Sequence, residues 1–388
     1  MAAMRHFDFL DDADRARLFL RAPEYFDARS APDFLAAALG ATLYCPATRP
    51  KLADDIRRRR SYGVTSMVIC LEDSIPDHAL LEGERNAVTQ LRHYAATNAD
   101  GPLLFIRVRS PDQIPMIVNR LEDDVDVLAG FVLPKFAGRN AAAYLNEVVA
   151  ASEHARRRLY AMPVLEAPEI GSADTRTPAL TGIREILARY REHVLAVRIG
   201  ATDLSGLYGL RRMREHTVYD VALLAAVIGD VVNALGRADD GYVITGPVWE
   251  YFSGAERIFK PLLRESPFLR HDERTLRAEL LAKELDGLIR ETTLDRANGL
   301  TGKTVIHPSH VAVVNALAVV SHEEYQDAVD ILDTSGGGGV ASSVYRNKMN
   351  ESKPHTAWAR RTVLRSRVFG VAQPEATFVD LLAASLHQ

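Results

Sequence analysis

The chain has 388 residues, 47% hydrophobic and 25% charged, with a formal net charge of -4 at pH 7. This composition is typical of a globular protein with a large core, and the slightly acidic balance gives no electrostatic footprint for nucleic acid. The sequence shows neither an apolar run of about 18 residues nor the apolar segment of a signal peptide. We therefore expect a cytoplasmic protein with neither nucleic acid nor a membrane as partner.

Short apolar runs alternate along the chain with longer helical patterns. Residues 1–40 read as mainly helical. Eight strand-like runs follow, at 41–46, 66–73, 103–108, 130–135, 159–166, 195–203, 241–247 and 303–308. The stretches between them are rich in Ala, Leu, Arg and Glu, which favour helices. The two cysteines, Cys45 and Cys70, fall inside strand-like runs and are predicted to be buried reduced thiols.

This alternation predicts an α/β protein built on a (β/α)₈ TIM barrel. Strand count alone leaves an open sheet as an alternative, but no GxGxxG or GxxxxGK[ST] motif follows the first strand. We place a helical extension at 1–40, the barrel at 41–320 and a helical C-terminal arm at 321–388. Four consecutive glycines at 336–339 interrupt this arm. The arm could be a lid or a swapped arm on a hinge, or it could be a plain tethered tail.

Ionisable residues gather where the predicted strands end. In a TIM barrel the functional site lies at the C-terminal ends of the strands, so such residues converge although they are distant in sequence. The side chains in these positions are Glu72, Asp73, Arg107, Arg109, Lys135, Glu166, Asp203 and His307. This recurrence predicts a polar site at the mouth of the barrel.

The residue types suggest a reaction on a 2-keto acid. Glu166 and Asp203 would come from neighbouring strands and could share one Mg²⁺, or Mn²⁺ in its place. Arg107 offers a planar fork for a substrate carboxylate. A metal holding the carbonyl would stabilise negative charge as a carbon–carbon bond is made or broken.

Each of the other polar residues also has a plainer interpretation. Glu72 and Asp73 could support their neighbours through hydrogen bonds without touching substrate. Lys135 could pair with one of these acids. It could instead be a Schiff-base nucleophile that works without metal.

At these residues the sequence resembles the citrate lyase beta-subunit branch of the HpcH/HpaI aldolase superfamily. The resemblance covers about residues 43–330 and, more loosely, the tail. Its segments are LYCPATRPK, ICLEDSIPDH, FIRV, FVLPK, VLEAPEIG, RIGATDLSGLYG and GKTVIHPSH, in the family's order. The chain is most similar to a divergent group of TIM-barrel carbon–carbon lyases associated with tellurium-resistance and stress gene clusters.

The resemblance implies a reversible aldol or Claisen cleavage that yields a 2-keto acid. It implies Mg²⁺ between Glu166 and Asp203, and a homotrimer or hexamer. An acyl-CoA thioester is one implied form of the substrate. The site residues expected on this basis are Arg107, Glu72, Asp73, Lys135 and Glu351 as catalytic residues, and Arg107, Arg109, Ala201 and Thr202 as substrate-binding residues.

The sequence departs from the family pattern at four places. Arg109 stands where many members have Asn, which predicts either a more anionic substrate or a salt bridge to Glu72. The family's tail carries an Asp that covers the site of a neighbouring subunit, and here Asn350 and Glu351 occupy that stretch. The N-terminal extension at 1–40 and the insertion at 248–273 go beyond what the simple members of the family have.

Two further functions remain open at this level. Thioester hydrolysis on the same scaffold would use water in place of a carbon nucleophile. A barrel retained as a non-catalytic ligand-binding or scaffolding subunit is the alternative that is not an enzyme. The presence of Glu166, Asp203 and Arg107 argues against the second of these, whereas the loss of the tail Asp argues for it.

Overall fold

The computed structural model describes residues 3–97, 101–252, 274–334 and 339–386. The strands are β1 Phe19–Arg21, β2 Ala41–Pro46, β3 Ser66–Cys70, β4 Leu103–Arg107, β5 Leu128–Leu133, β6 Tyr160–Leu165, β7 Ala196–Ile199, β8 Val243–Thr245, β9 Lys303–Val305, β10 Val340–Ser342, β11 Met349–Glu351 and β12 Val371–Ala372. The helices are α1 Asp12–Leu18, α2 Pro32–Ala38, α3 Leu52–Ser61, α4 Leu80–Ala95, α5 Gln113–Leu121, α6 Gly138–His154, α7 Pro168–Gly171, α8 Ala173–Arg189, α9 Ala201–Gly206, α10 Ala222–Leu235, α11 Arg274–Ala297, α12 Ser309–Ala318, α13 His322–Thr334, α14 Ser352–Phe369 and α15 Phe378–Leu386.

The central sheet confirms the predicted barrel. Its eight strands run in the order β8-β7-β6-β5-β4-β3-β2-β9, and every neighbouring pair is parallel. A parallel bridge between Gly246 and Lys303 joins the two edge strands and closes the barrel. All eight predicted strands are present. Several end earlier than predicted, because their polar last residues already belong to loops or, at 201–203, to helix α9.

The barrel strands are buried on both faces, as parallel strands covered by helices must be. One set of side chains, including Ile69, Ile106 and Phe131, packs outward in the cluster formed with the helices. The alternate set, including Phe105 and Met162, fills the lumen. Cys45 and Cys70 are buried free thiols, as predicted, and burial raises the pKa of Cys45 to about 12.

The N-terminal end of the barrel is closed by segments from both ends of the chain. Helix α2 and Phe26 share one buried cluster with the lumen residues and with Phe369 of α14. Strand β1 pairs antiparallel with β12. Within the predicted helical extension, the structure has two short helices and one strand. The arm is therefore tied to the N-terminal segment through β1 and β12, which argues against a plain tethered tail.

Two predicted features of the arm and the barrel lie partly outside the described residues. Residues 336–338 of the glycine run, with Ser335 before it, and residues 253–273 of the insertion are not described. Beyond the glycine run, β10 and β11 form a hairpin. Among the described helices, none combines the length and apolar character needed to cross a bilayer.

His6 anchors the N-terminal segment to this closed end. Its Nε2 lies 3.0 Å from the carbonyl oxygen of Ala38, and its ring centroid is 4.2 Å from that of Phe369. Burial lowers the pKa of His6 to about 3, although the hydrogen bond with Ala38 acts in the opposite direction. The folded protein therefore keeps His6 neutral.

This burial predicts a pH dependence of stability. Unfolded His6 takes up a proton near its ordinary pKa of 6.5, whereas folded His6 does so only near 3. Its contribution is fully present above pH 6.5 and declines as the pH falls toward 3, by at most about 1.4 kcal/mol per unit. Between pH 7 and pH 4.5, the melting temperature of His6→Gln should decrease less steeply with falling pH than that of wild type. The exposed-site control His93→Gln should keep the wild-type slope, and equal slopes for all three proteins would contradict the assignment.

A buried ionic network joins β9 to α11 on the outside of the barrel. The Nζ of Lys303 lies 2.6 Å from Asp295 Oδ2 and 2.9 Å from Glu291 Oε1. The guanidinium of Arg212 forms an ion pair with Glu291, and the Tyr219 hydroxyl donates to Asp295 Oδ1 at 2.9 Å. Lys303 and Glu291 are both fully buried, so each of these charges depends on its partners.

Candidate active site

Six of the eight predicted polar residues lie together at the mouth of the barrel. Glu72 and Asp73 follow β3, Arg107 ends β4, and Lys135 and Glu166 follow β5 and β6. Asp203 lies in the first turn of α9, which follows β7. Hydrogen bonds and ion pairs join the first five of these residues, and the charge of Asp203 acts on Glu166 and Lys135.

Arg107 lies at the centre of the acidic residues. Its Nη2 is 2.7 Å from Glu72 Oε2, 2.9 Å from Glu166 Oε1 and 3.5 Å from Asp73 Oδ2. The side chain is 12% exposed, and its Nε has no hydrogen-bond partner. All three contacts use the same nitrogen, so the remaining donors of the guanidinium fork are not engaged by these acids.

Lys135 contributes both its ammonium group and its backbone. Its Nζ lies 2.6 Å from Glu72 Oε1, and its backbone N–H donates to Glu166 Oε1 at 2.9 Å. The residue has a φ of +47°, a left-handed conformation that costs a non-glycine residue free energy and often marks a functional site. Burial lowers the pKa of Lys135, but the hydrogen bond and charge of Glu72 and the charges of Asp73 and Asp203 produce a net rise. A charged ammonium disfavours the Schiff-base alternative, because the nucleophile must be neutral.

Glu72 and Asp73 have pKa values shifted in opposite directions. Burial would raise the pKa of Glu72, but Asp73, Arg107 and Lys135 together lower it to about 2. Burial raises the pKa of Asp73 to about 6, with the hydrogen bond and charge of Glu72 adding to the rise. The Asp73 side chain is 55% exposed, against 7% for Glu72. Glu72 is thus a fixed anion that holds the cations, and Asp73 is the carboxyl that solvent and small molecules can reach.

Glu166 is held between Arg107 and helix α9. Its side chain is 1% exposed, and its carboxylate lies directly against the backbone of Gly200. A Cβ atom on Gly200 would come within 2.0 Å of Glu166 Oε2. Burial raises the pKa of Glu166 to about 7; Arg107 lowers it, and the negative charge of Asp203 raises it. Glu166 and Asp203 are therefore close enough to repel each other when both are ionised.

This pair of carboxylates fits a hard divalent cation. Mg²⁺ is commonly held by one or two carboxylates together with water and substrate oxygens. Oε1 of Glu166 accepts from Arg107 and Lys135, whereas Oε2 is the oxygen that faces Gly200, three residues before Asp203. In the described part of the chain, no group of three or more His, Cys, Asp or Glu side chains is arranged to hold a metal. A cation here would thus draw its remaining ligands from solvent and substrate.

Arg109 does not form the salt bridge to Glu72 that was one of the two alternatives predicted for it. Its Nε donates to Leu71 O at 2.7 Å, its Nη2 donates to Ile75 O at 3.0 Å, and its Nη1 pairs with Asp77 at 2.5 Å. Its contact with Glu72 is a 3.4 Å hydrogen bond to the backbone oxygen and not a salt bridge to the carboxylate. The guanidinium is directed toward the loop that follows β3. The direction of a side chain toward a loop more than 30 residues away cannot be read from the local sequence.

Ala201 and Thr202 open helix α9 beside Asp203. Ala201 is buried. The Thr202 side chain is exposed, and its hydroxyl donates to Glu250 Oε1 at 2.5 Å. His307, the last of the strand-end residues, stacks on Phe252 with ring centroids 4.8 Å apart.

Among the described residues, Glu351 has contacts within the arm and none with the residues at the mouth of the barrel. It ends β11, pairs with Val340, and its backbone N–H donates to His355 Nδ1. Asn350 is buried and donates to Asp327 Oδ1 at 2.8 Å. These contacts keep both residues within the arm, so a role for Glu351 in catalysis would require a second copy of the chain.

Three residues of the mouth and lumen were not singled out from the sequence. Gly200 provides the space for the Glu166 carboxylate, while Tyr44 and Arg198 lie deeper, on β2 and β7. A charged residue in the middle of the apolar run LAVRIG was a signal that could have identified Arg198. The steric role of Gly200 depends on a contact between residues 34 positions apart and has no local signal.

Solved structures of low sequence identity share the fold. A citrate lyase from Burkholderia xenovorans LB400 matches with a TM-score of 0.61 at 15% identity, over 90% of this chain and 96% of that chain. The protein CitE from Mycobacterium tuberculosis, in complex with magnesium, acetoacetate and coenzyme A, matches with a TM-score of 0.52 at 17% identity, over 85% and 99%. Malate synthase from Haloferax volcanii, in a magnesium/glyoxylate complex, matches with a TM-score of 0.50 at 14% identity, over 71% and 74%.

Comparisons of sequence give one match and one negative result. A family model described as C-C bond lyase of the TIM-barrel fold matches residues 33–371. No curated protein matches the chain significantly. The matched range includes the whole barrel and most of the arm.

Proposed function

The chain belongs to the family of carbon–carbon bond lyases of the TIM-barrel fold, and on that premise we propose that it makes or breaks a bond of a 2-keto acid adduct with the help of Mg²⁺. The observation that supports this most directly is the placement of Glu166 against Gly200, beside Asp203 and in contact with Arg107. Two proteins of the same fold bind magnesium, one with acetoacetate and coenzyme A and one with glyoxylate.

The roles of the residues follow from their contacts. Glu166 and Asp203 would hold the cation, and the bound cation would supply Lewis-acid stabilisation of developing negative charge. Arg107 would bind the keto-acid carboxylate through the donors that its acidic neighbours leave unused. Glu72, fixed between Arg107 and Lys135, keeps both cations in place. Asp73 is the exposed carboxyl that would exchange a proton with the reacting fragment.

The remaining predicted residues have secondary places in this proposal. Arg109 would hold the loop that carries Glu72 and Asp73, since it donates to three backbone oxygens there. Ala201 and Thr202 would border the substrate at the start of α9. Glu351 would act only in a homotrimer or hexamer that brings one chain's arm to another chain's mouth. An acyl-CoA thioester is the form of adduct that we propose, with Mn²⁺ as the alternative metal.

A thermal-shift experiment tests the proposed function. The purified chain is heated with Mg²⁺ alone, with oxaloacetate, pyruvate or glyoxylate alone, and with each pair. Because ligands that bind the folded state raise the melting temperature, we expect at least one pair to raise it by more than the sum of its two separate effects. Adding EDTA should abolish this excess. Additive shifts for every pair would contradict a site shared by metal and keto acid.

A further inference from the structure

The lumen of the barrel contains an arginine that no described acid neutralises. Arg198 on β7 is 1% exposed. Its Nη2 donates to Thr304 Oγ1 at 2.8 Å, and its Nη1 lies 3.4 Å from Thr42 Oγ1 and 3.6 Å from Met162 Sδ. Its Nε has no hydrogen-bond partner. A buried guanidinium with hydroxyl and thioether neighbours is incompletely compensated, because a buried charge normally requires an opposite charge.

Tyr44 connects this arginine to the mouth of the barrel. The Cζ of Arg198 lies 5.5 Å from the centroid of the Tyr44 ring. Tyr44 packs against the lumen cluster, yet it is partly exposed. Tyr44 lies two residues before the C-terminal end of β2, and the charges of Arg107 and Glu166 at the mouth act on its hydroxyl. Tyr44 is therefore part of the floor of the candidate site, with Arg198 beside it.

Charges on both sides act on the Tyr44 hydroxyl. Burial raises the pKa of Tyr44, while Arg198 and Arg107 lower it and Glu166 raises it. The net rise keeps the phenol protonated and able to donate a hydrogen bond. Tyr44 thus lies within electrostatic reach of Arg198 in the lumen and of Arg107 and Glu166 at the mouth.

The distribution of charge makes the floor of the site favourable for an anion. At the mouth, Glu72, Asp73 and Glu166 engage Arg107, and Glu72 also engages Lys135. Arg198 has no such acidic partner among the described residues. Its positive charge would therefore attract a nearby anion strongly, because electrostatic interactions are strong in an interior of low polarity. An anion at the floor would gain this attraction together with a hydrogen bond from Tyr44.

We propose that Tyr44 and Arg198 form a subsite for a second anionic group of the substrate. Tyr44 donates a hydrogen bond to this group, and Arg198 is a positioning residue that attracts it and orients the phenol. The substrate's keto-acid half is then a 2-keto diacid and not a monoacid. This inference rests on the proposed function, because the metal and Arg107 hold the other end of the same molecule.

The test compares keto acids that differ in one carboxylate. With saturating Mg²⁺, calorimetry gives the affinities of oxaloacetate (freshly prepared) and 2-oxobutyrate, and of 2-oxoglutarate and 2-oxovalerate. We expect wild type to prefer at least one diacid over its monoacid partner by about tenfold or more, the range of a charge-assisted contact. Arg198→Met should remove most of this preference and change monoacid affinity by less than about threefold, since a neutral ligand end gains nothing from the charge.

Two conservative variants complete the test. Arg198→Lys keeps the charge and should retain part of the diacid preference. Tyr44→Phe keeps the ring and should reduce the preference by about threefold or more, through loss of one hydrogen bond. If Arg198→Met does not fold, Tyr44→Phe decides, and an unchanged preference in that variant overturns the subsite.

The outcomes separate this inference from the proposed function. Equal affinity of wild type for diacids and monoacids, or an equal loss for both in Arg198→Met, overturns the subsite and leaves the metal-dependent keto-acid site intact. Binding of neither class with Mg²⁺ overturns the proposed function and the subsite together. A purely structural Arg198 would change the melting temperature of the variant without changing the ratio of affinities.

Discussion

Glu166→Ala and Asp203→Ala are each expected to weaken Mg²⁺-dependent binding of the keto acid by at least about 100-fold. Loss of an outer-sphere partner alone commonly costs about 10- to 100-fold in metal affinity, and each of these substitutions removes one of two protein ligands. The barrel should stay folded, because Arg107 keeps its 2.7 Å contact with Glu72 when Glu166 is absent. Titration of Mg²⁺ at a fixed keto-acid concentration measures the effect, with the melting temperature of the ligand-free variant as the check on folding.

A substitution that removes no carboxylate also tests the proposed placement of Glu166 beside Asp203. Gly200→Ala leaves both carboxylates in the chain but places a methyl group where Glu166 Oε2 lies, at 2.0 Å. Because the three nearest atoms all belong to the buried Glu166 side chain, we expect Glu166 to be displaced and binding to fall nearly as far as in Glu166→Ala. The control Gly206→Ala lies at the other end of α9, where an added Cβ meets no atom within 4 Å. Wild-type metal affinity in Glu166→Ala, Asp203→Ala or Gly200→Ala would show that the site is assigned wrongly.

Lys303→Met is expected to lower the free energy of unfolding by about 3–5 kcal/mol, the usual cost of removing one partner from a buried ion pair. The methionine preserves the length of the side chain, but it leaves Asp295 without the ammonium group 2.6 Å away. Glu291 keeps Arg212 as a partner, so the main uncompensated charge is that of Asp295. Denaturant unfolding at pH 8 measures the loss.

The pH dependence of this loss identifies its origin. Burial raises the pKa of Asp295 to about 6 even with Lys303 present to lower it. A carboxyl whose pKa is raised on folding stabilises the protein at low pH and loses that contribution as the pH rises through the folded pKa. The deficit of Lys303→Met should therefore be smaller at pH 5 than at pH 8, and Lys303→Met/Asp295→Asn should recover part of it. As a control, Arg158→Met breaks an exposed pair with Glu192 and should lower the free energy of unfolding by less than about 1 kcal/mol. An equally small loss in Lys303→Met would refute the role of the network.

The barrel was predictable because its strands are buried on both faces and therefore appear as continuous apolar runs separated by helices. The ends of those runs were harder to place. Residues 200–203 continue a run that looks like a strand, but Gly200 ends it and the chain turns into α9. Closure of the barrel depends on the bridge between Gly246 and Lys303, a pairing of distant residues that no local pattern reveals.

The candidate site was predictable only as a set of residue types at strand ends. Parallel strands carry those ends to one face, which is why Glu72, Arg107 and Glu166 were expected together. The direction of each side chain was not encoded in that way. Arg109 follows Arg107 by two residues, yet it is directed toward the loop at 71–77, whereas Arg198, within an apolar run, is directed into the lumen beside Tyr44.

The antiparallel pairing of β1 with β12 has a consequence for how the protein is made. Phe19 pairs with Ala372. β1 is synthesised early, but it cannot form this pairing until β12, near the end of the chain, has been synthesised. Until then, the apolar lumen that α2 and Phe369 later cover stays open at one end, and such surfaces attract chaperones, proteases and other unfolded chains. A chain that ends before about residue 370 therefore lacks the strand that pairs with β1, and the N-terminal end of its barrel stays uncovered.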